Sequence, residues 1–359
     1  MIKDIGSIFS LSEEERHLAD GTECPVSSGG RVFYSLCREA LYDIARLHDS
    51  SRKVALVPAY TCMTVAAPLQ QLGWQCVFYN INRNLRIDTD SLLSLCNSWH
   101  PTLVIAHPYY GMDFNVKEEE TLATLHKQGC HIVVDLTQCI YSRQRHIFVD
   151  YYIGSLRKWL AMPDGGFLET GAKSLYPFFI KRDYNTTFAT KQADAMYLRG
   201  LYFEQGTQEV KDISRRINQE AVLSAREHTQ PHRMAPLSFA IMQREDMDAS
   251  ACRRMDNCRT LNEMLTECST ITPVCDDITL TTSAPLYYVI YTDHRSELQR
   301  HLATERIYAP VIWPLGMHEM LVSEDVAYIY GHILALPVDQ RYDQKDMTKM
   351  AKLIQSFCP

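Results

Sequence analysis

From residue 54 onward, short apolar runs alternate with segments whose apolar residues recur every three or four positions. Runs at 54–58, 77–79, 102–106 and 131–134 read as strands, the last stopping at Asp135. Between them the helical period returns at 64–72, 88–95 and 117–127, with Asp88 or Thr89 as the N-cap of the second segment. Ahead of these, Phe33, Cys37, Ala40, Leu41, Ile44 and Leu47 share one helical face, which predicts a helix beginning near Gly30. Short strands alternating with helices predict an α/β fold, with a mostly parallel sheet held between helix layers. Ligands of such sheets collect at the carboxyl ends of the strands. That rim would carry 58–61, 107–110 and Asp135.

The pattern changes after 183. Residues 184–230 are polar and charged and show no clear strand, so they read as helices and connections lying over the large domain. A long helix is predicted over 236–265. Strands at 286–290, 309–312 and 333–336, with helices at 296–305 and 343–357, then predict a small α+β unit. At 359 residues the chain exceeds one ordinary domain, and the reading divides it into 1–245 and 246–359.

Composition narrows the function classes. The net charge is −7 with no Lys/Arg run, which argues against a nucleic-acid or membrane partner. No apolar stretch approaches the length of a membrane span, and residues 1–10 lack a signal peptide's build. The twelve cysteines are scattered, several of them (Cys37, Cys76, Cys130) inside apolar segments, as expected of free thiols in a reducing cytoplasm. No CxxC pair occurs, and Pro231 separates His228 from His232, so no metal is expected.

The chemistry concentrates in two places. Asp135 ends a buried strand, and Lys158 follows it by 23 residues, after a second apolar segment. A pyridoxal-phosphate (PLP) site needs such a pair: an amine to bind the cofactor aldehyde, and a carboxylate to keep the pyridine nitrogen protonated. Taken alone, the pair has an ordinary alternative, in which Asp135 caps a turn and Arg157-Lys158 is a solvated surface pair.

The wider order is more specific. Gly30-Arg31, Pro58-Ala59-Tyr60-Thr61, Asp135-x-x-Gln138, Ser155-x-x-Lys158 and Asp164-Gly165-Gly166-Phe167-Leu168 occur in sequence. From about Gly29 to the C-terminus, including segments 306–314 and 334–341, the chain resembles the DegT/DnrJ/EryC1/StrS aminotransferases. These are fold-type-I PLP enzymes, many of which act on nucleotide-linked keto-sugars.

The resemblance implies roles by position. Lys158 falls where the family's Schiff-base lysine stands, Asp135 at the partner of the pyridine nitrogen, and Gln138 beside the ring and its 3-hydroxyl. Gly30 and Arg31 fall at the phosphate-binding helix start, although Arg31 reads equally as a surface residue. Ser155 is the nearest hydroxyl before Lys158, two positions from where the family's serine usually lies. Cys62 stands where an aromatic ring often stacks on the cofactor, so that the stacking comes from elsewhere, Tyr60 or Tyr110, or is weaker. Pro231-His232-Arg233-Met234 replaces a segment whose asparagine reaches a neighbouring subunit's phosphate. Arg233 then either takes over that contact or pairs with a local carboxylate. The implied reaction moves an amino group from an amino-acid donor to a keto or aldehyde acceptor, in a homodimer. A PLP lyase or aldolase on the same fold, or a non-catalytic homologue with a binding or regulatory role, remains an alternative.

Overall fold

The computed structural model describes residues 3–18, 23–49, 52–171, 174–178, 180–227, 230–274, 282–313 and 323–358. A short helix, α1 (Glu13–Arg16), is followed by a hairpin of β1 (Ser27–Ser28) and β2 (Arg31–Tyr34). Then come α2 (Cys37–Leu47), β3 (Val54–Pro58), α3 (Met63–Gln71), β4 (Gln75–Tyr79), α4 (Thr89–Trp99), β5 (Leu103–Ala106), α5 (Val116–Lys127) and β6 (His131–Asp135). Strands β7 (Tyr151–Ser155) and β8 (Gly166–Thr170) complete an eight-stranded sheet of order β1-β2-β8-β7-β6-β5-β3-β4. Its β4-β3-β5-β6-β7 part is parallel, and β8, β2 and β1 join antiparallel. The apolar strands are buried on both faces between two core clusters, as the α/β pattern requires.

The first predicted helix starts later than its periodicity implied. Gly29 and Gly30 both take positive φ (57° and 76°) and form the two-residue turn of the β1–β2 hairpin, a conformation that favours glycine. Phe33 therefore lies on a strand. The helix opens only at Cys37, where the Leu36 N–H donates to the Glu39 carboxylate three residues on. Leu47, expected on the buried stripe, is 45% exposed.

Residues 184–230 contain two long helices, α6 (Thr186–Gln205) and α7 (Gln208–Glu227), packed against each other. The long helix predicted at 236–265 is broken into α8 (Pro236–Arg244) and α9 (Met247–Leu265). Glu245 is extended between them, and the Asp246 side chain caps α9 by accepting from the Ala249 N–H. A second sheet, β11-β10-β9, joins β9 (Thr272–Pro273), β10 (Tyr287–Tyr291) and β11 (Ile333–Pro337). Helices α10 (Arg295–Thr304), α11 (Glu324–His332) and α12 (Gln344–Gln355) lie in the same part of the chain, and a separate core cluster unites this sheet with α9, α10 and α12. No strand forms at 309–312. Pro310 has no N–H to give a ladder, and only its carbonyl is used, accepting from Ala335.

No helix among the described residues is long and apolar enough to cross a membrane. Nor do the described residues contain a group of three His, Cys, Asp or Glu side chains that could hold a metal; His228 lies outside them.

Candidate active site

The carboxyl ends of β6 and β7 lie side by side, because Asp135 pairs with Ile153 across the parallel ladder. Each strand runs straight into a single 3-10 turn, Leu136–Gln138 after β6 and Leu156–Lys158 after β7. Asp135 and Lys158 thereby meet at one cavity, together with Thr137 and Ser155. The opposite wall is the first turn of α2 (Leu36, Cys37, Arg38) and the start of α3 (Cys62, Thr64, Val65).

Asp135 is buried. One of its oxygens accepts from the Thr137 N–H at 2.9 Å, and the other lies 3.7 Å from Nδ1 of His107. His107 is linked in turn to Thr61 Oγ1 at 2.7 Å through Nε2. Burial holds His107 below the ordinary histidine range, and Asp135 only partly offsets this. A chain of Thr61, His107 and Asp135 thus crosses three strand ends.

Lys158 is half-buried and makes no hydrogen bond or ion pair to the described residues. Arg157 beside it is also unpaired; its guanidinium lies 5.7 Å from the Phe188 ring centre. Burial, with Arg38 nearby, pushes Arg157 below its ordinary value. Three cations and a helix N-terminus therefore border a cavity whose one acid is Asp135. That combination favours an anion at the α2 end.

A close backbone approach fixes α2 there. A side chain on Gly166 would place its Cβ 2.5 Å from the Cys37 nitrogen, so β8 can pass the start of α2 only as glycine. The Gly165 N–H donates to the Ser35 carbonyl at 2.7 Å, and the Gly165 carbonyl accepts from Leu156 at 2.9 Å. Asp164 anchors the same loop by accepting from Ser238 Oγ and the Ala235 N–H, while burial pushes its carboxyl up to about 7.

Several expected residues stand elsewhere. Gly30 and Arg31 are not at a helix start. Arg31 pairs with Glu169 on β8, stacks on Phe167 at 4.5 Å, and lines a different groove. Tyr60 and Tyr110 are buried with their hydroxyls 3.1 Å apart and do not line the Lys158 cavity; Trp313 does, facing the same space as Cys62. Gln138 is buried, does not line the cavity, and interacts through its side chain with Tyr110. Arg233 is held within its own chain: it donates to the Cys24 carbonyl and to Tyr184 Oη (2.8 Å), and lies 3.7 Å from Glu23. Sequence reasoning missed the α2 start, Arg38 and the role of Trp313; it placed His107 on the rim without a role and read Arg157 only as part of a solvated pair. Glu39, placed to cap a helix beginning three residues earlier, was the available signal for the first two.

No family model matches the chain, and no curated protein matches it in sequence. Solved structures do match in fold. Helicobacter pylori PseC, an aminotransferase involved in the biosynthesis of pseudoaminic acid, is 15% identical and superposes with a TM-score of 0.70 over 98% of each chain. A DegT DnrJ EryC1 StrS aminotransferase from Brucella abortus is 15% identical, with a TM-score of 0.64 over 97% of this chain and 91% of that one. Spr1654 from Streptococcus pneumoniae, in its PLP form, is 14% identical, with a TM-score of 0.71 over 99% and 98%. At these identities the likeness establishes the fold.

Proposed function

We propose that this chain is a PLP-dependent aminotransferase, and that the cavity between Asp135, Lys158 and the start of α2 is its cofactor site. The observation that carries the reading is the placing of an unpaired lysine and a buried carboxylate on adjacent strand ends, opposite a cationic helix start. The residues suit PLP at each of its ends. The first-turn N–H groups of α2, Arg38 and Ser155 would hold the phosphate, Asp135 the pyridine nitrogen, and Lys158 the aldehyde carbon. Three solved neighbours of the same fold, described as an aminotransferase of pseudoaminic acid biosynthesis, a DegT-type aminotransferase and a PLP form, support the assignment.

When bound, PLP supplies an electron sink for charge developing at the donor's α-carbon. The protein does the rest. Asp135, held by the Thr137 N–H and flanked by His107, is the carboxyl group that would pair with the pyridine nitrogen. Lys158 would hold the cofactor at its aldehyde carbon and would be freed when the amino donor takes its place. Its free Nζ then takes the proton from the donor α-carbon and returns it as a general acid. The acceptor is a ketone or aldehyde; neighbours described as sugar aminotransferases favour a keto-sugar, and the family resemblance a nucleotide-linked one. The division at 245/246 into a cofactor-binding unit and a smaller one, and residence in the cytoplasm, belong to the same proposal.

The experiment is spectroscopic. Protein supplied with PLP should show a visible absorption band that bleaches on addition of an amino-acid donor and returns with a keto acid. A stable band unresponsive to a panel of amino acids would leave a binding protein; release of a cleaved product would indicate a lyase.

The working unit we propose is a homodimer, since closed two-fold pairs are the commonest symmetric assemblies. Ile147 is 91% and Tyr176 79% exposed, and both are large apolar side chains that a partner surface would cover. Sedimentation at micromolar concentration should show twice the 41.3 kDa chain mass. A monomer that transaminates would overturn the dimer.

A further inference from the structure

Lys158 and Arg157 also border a second cavity, on the side of Lys158 away from α2. It is closed by the N-terminal segment 6–9, by α6 and α7, and by the chain before β10. Four cations line it, Arg157, Lys158, Arg254 and Arg341, against one acid, Asp339. Two of the arginines are already committed. Arg341 forks onto both oxygens of Asp339 at 2.7 and 2.9 Å and donates to the Ser7 and Ile8 carbonyls. Arg254 donates to Gln340 and to the Leu286 and Trp159 carbonyls, and stacks on the Trp159 ring. Arg157 has no such partner among the described residues. Across the same cavity Gln192, 5% exposed, leaves its side-chain Nε2 buried without an acceptor. A half-buried guanidinium and a buried amide donor without an acceptor, lining one space, suit an acceptor with paired oxygens.

An α-amino acid carries its carboxylate on the same carbon as its amine. If the amine is to reach the carbon held by Lys158, the carboxylate must lie immediately beside that lysine. Arg157 is the one cation lining both cavities with Lys158 that combines a planar fork with the absence of a partner. We propose that the cavity between segment 6–9, α6 and α7 is the amino-donor site, with Arg157, assisted by Gln192, binding the donor's α-carboxylate. The assignment rests on the aminotransferase reading but concerns residues that the cofactor site does not require.

The test uses the PLP-loaded enzyme and two readouts. In the first, the best amino-acid donor is compared with the amine left when its α-carboxyl group is removed. Arg157→Gln should lower the preference for the amino acid on the order of 10- to 100-fold, chiefly through KM, with Arg157→Lys falling between. In the second, calorimetric titration of the holoenzyme with succinate, a dicarboxylate without an amine, should show binding that is lost in Arg157→Gln. In Gln192→Ala that binding should weaken roughly two- to tenfold. An Arg157→Gln enzyme that keeps both the preference and succinate binding overturns the proposal. So does one whose only defect is weaker PLP binding, because Arg157 would then serve the phosphate. If the wild-type enzyme converts no amino donor, the aminotransferase reading fails, whereas the succinate titration still decides whether the cavity takes a carboxylate.

Discussion

Replacing Lys158 by alanine is expected to abolish covalent cofactor attachment and lower transamination by at least about 1000-fold, while leaving the fold intact. The loss combines two roles, because the same amine carries the cofactor and moves the proton, and proton transfer alone contributes roughly 100- to 10,000-fold. The fold should be indifferent, because among the described residues Lys158 makes no hydrogen bond or ion pair that alanine would break. Substitutions of that kind usually shift stability by no more than about 0.5 kcal/mol. PLP should still bind non-covalently, since the α2 start, Arg38 and Asp135 remain. Borohydride reduction of the wild-type holoenzyme, followed by peptide mapping, should place the cofactor on the peptide containing Lys158. Attachment at another lysine, or undiminished turnover in the variant, would remove Lys158 from the mechanism.

Asp135 is the second large effect, and two substitutions separate its two roles. Its carboxylate accepts from the Thr137 N–H and carries the charge meant for the pyridine nitrogen. Asp135→Asn keeps an acceptor for Thr137 but removes the charge. Cofactor affinity should then fall by about 1.5–3 kcal/mol, the worth of a hydrogen bond to a charged group, and turnover should fall on the order of 100-fold or more. Asp135→Ala should show the same catalytic loss, plus a stability cost of about 1–3 kcal/mol from the buried Thr137 N–H left without a partner. Thermal unfolding of the apo forms and PLP titration distinguish the two. An Asp135→Asn enzyme with wild-type turnover would mean that another group supports the cofactor nitrogen.

Much of this site was legible along the chain, and its errors share one cause. The strand runs ending at Asp135 and before Lys158 were visible because buried parallel strands are apolar on both faces and stop where polar chemistry begins. The α2 boundary was misread because Phe33 lies on β2 yet keeps helical spacing with Cys37, so periodicity ran across a turn that only the positive φ of Gly29 and Gly30 reveals. The break between α8 and α9 hid in the same way, two extended residues, Glu245 and Asp246, inside a helical pattern.

The sequence by itself determined the strand-helix alternation, the rim on which chemistry collects, and the pairing of a strand-end aspartate with a downstream lysine. Those features depend on local spacing and on burial of contiguous residues, which a single chain displays directly. Only the tertiary structure decided which groups surround the pair. Arg31 was drawn to Glu169, Arg233 to Cys24 and Tyr184, and Tyr60 to Tyr110, while Arg38, Trp313 and His107 came to the site or its flank from distant segments. Whether a charged or aromatic side chain is free or already partnered depends on contacts between residues far apart in sequence. Arg233 has hydrogen-bond partners and Arg157 has none among the described residues, and no pattern along the chain distinguishes a guanidinium with a partner from one without.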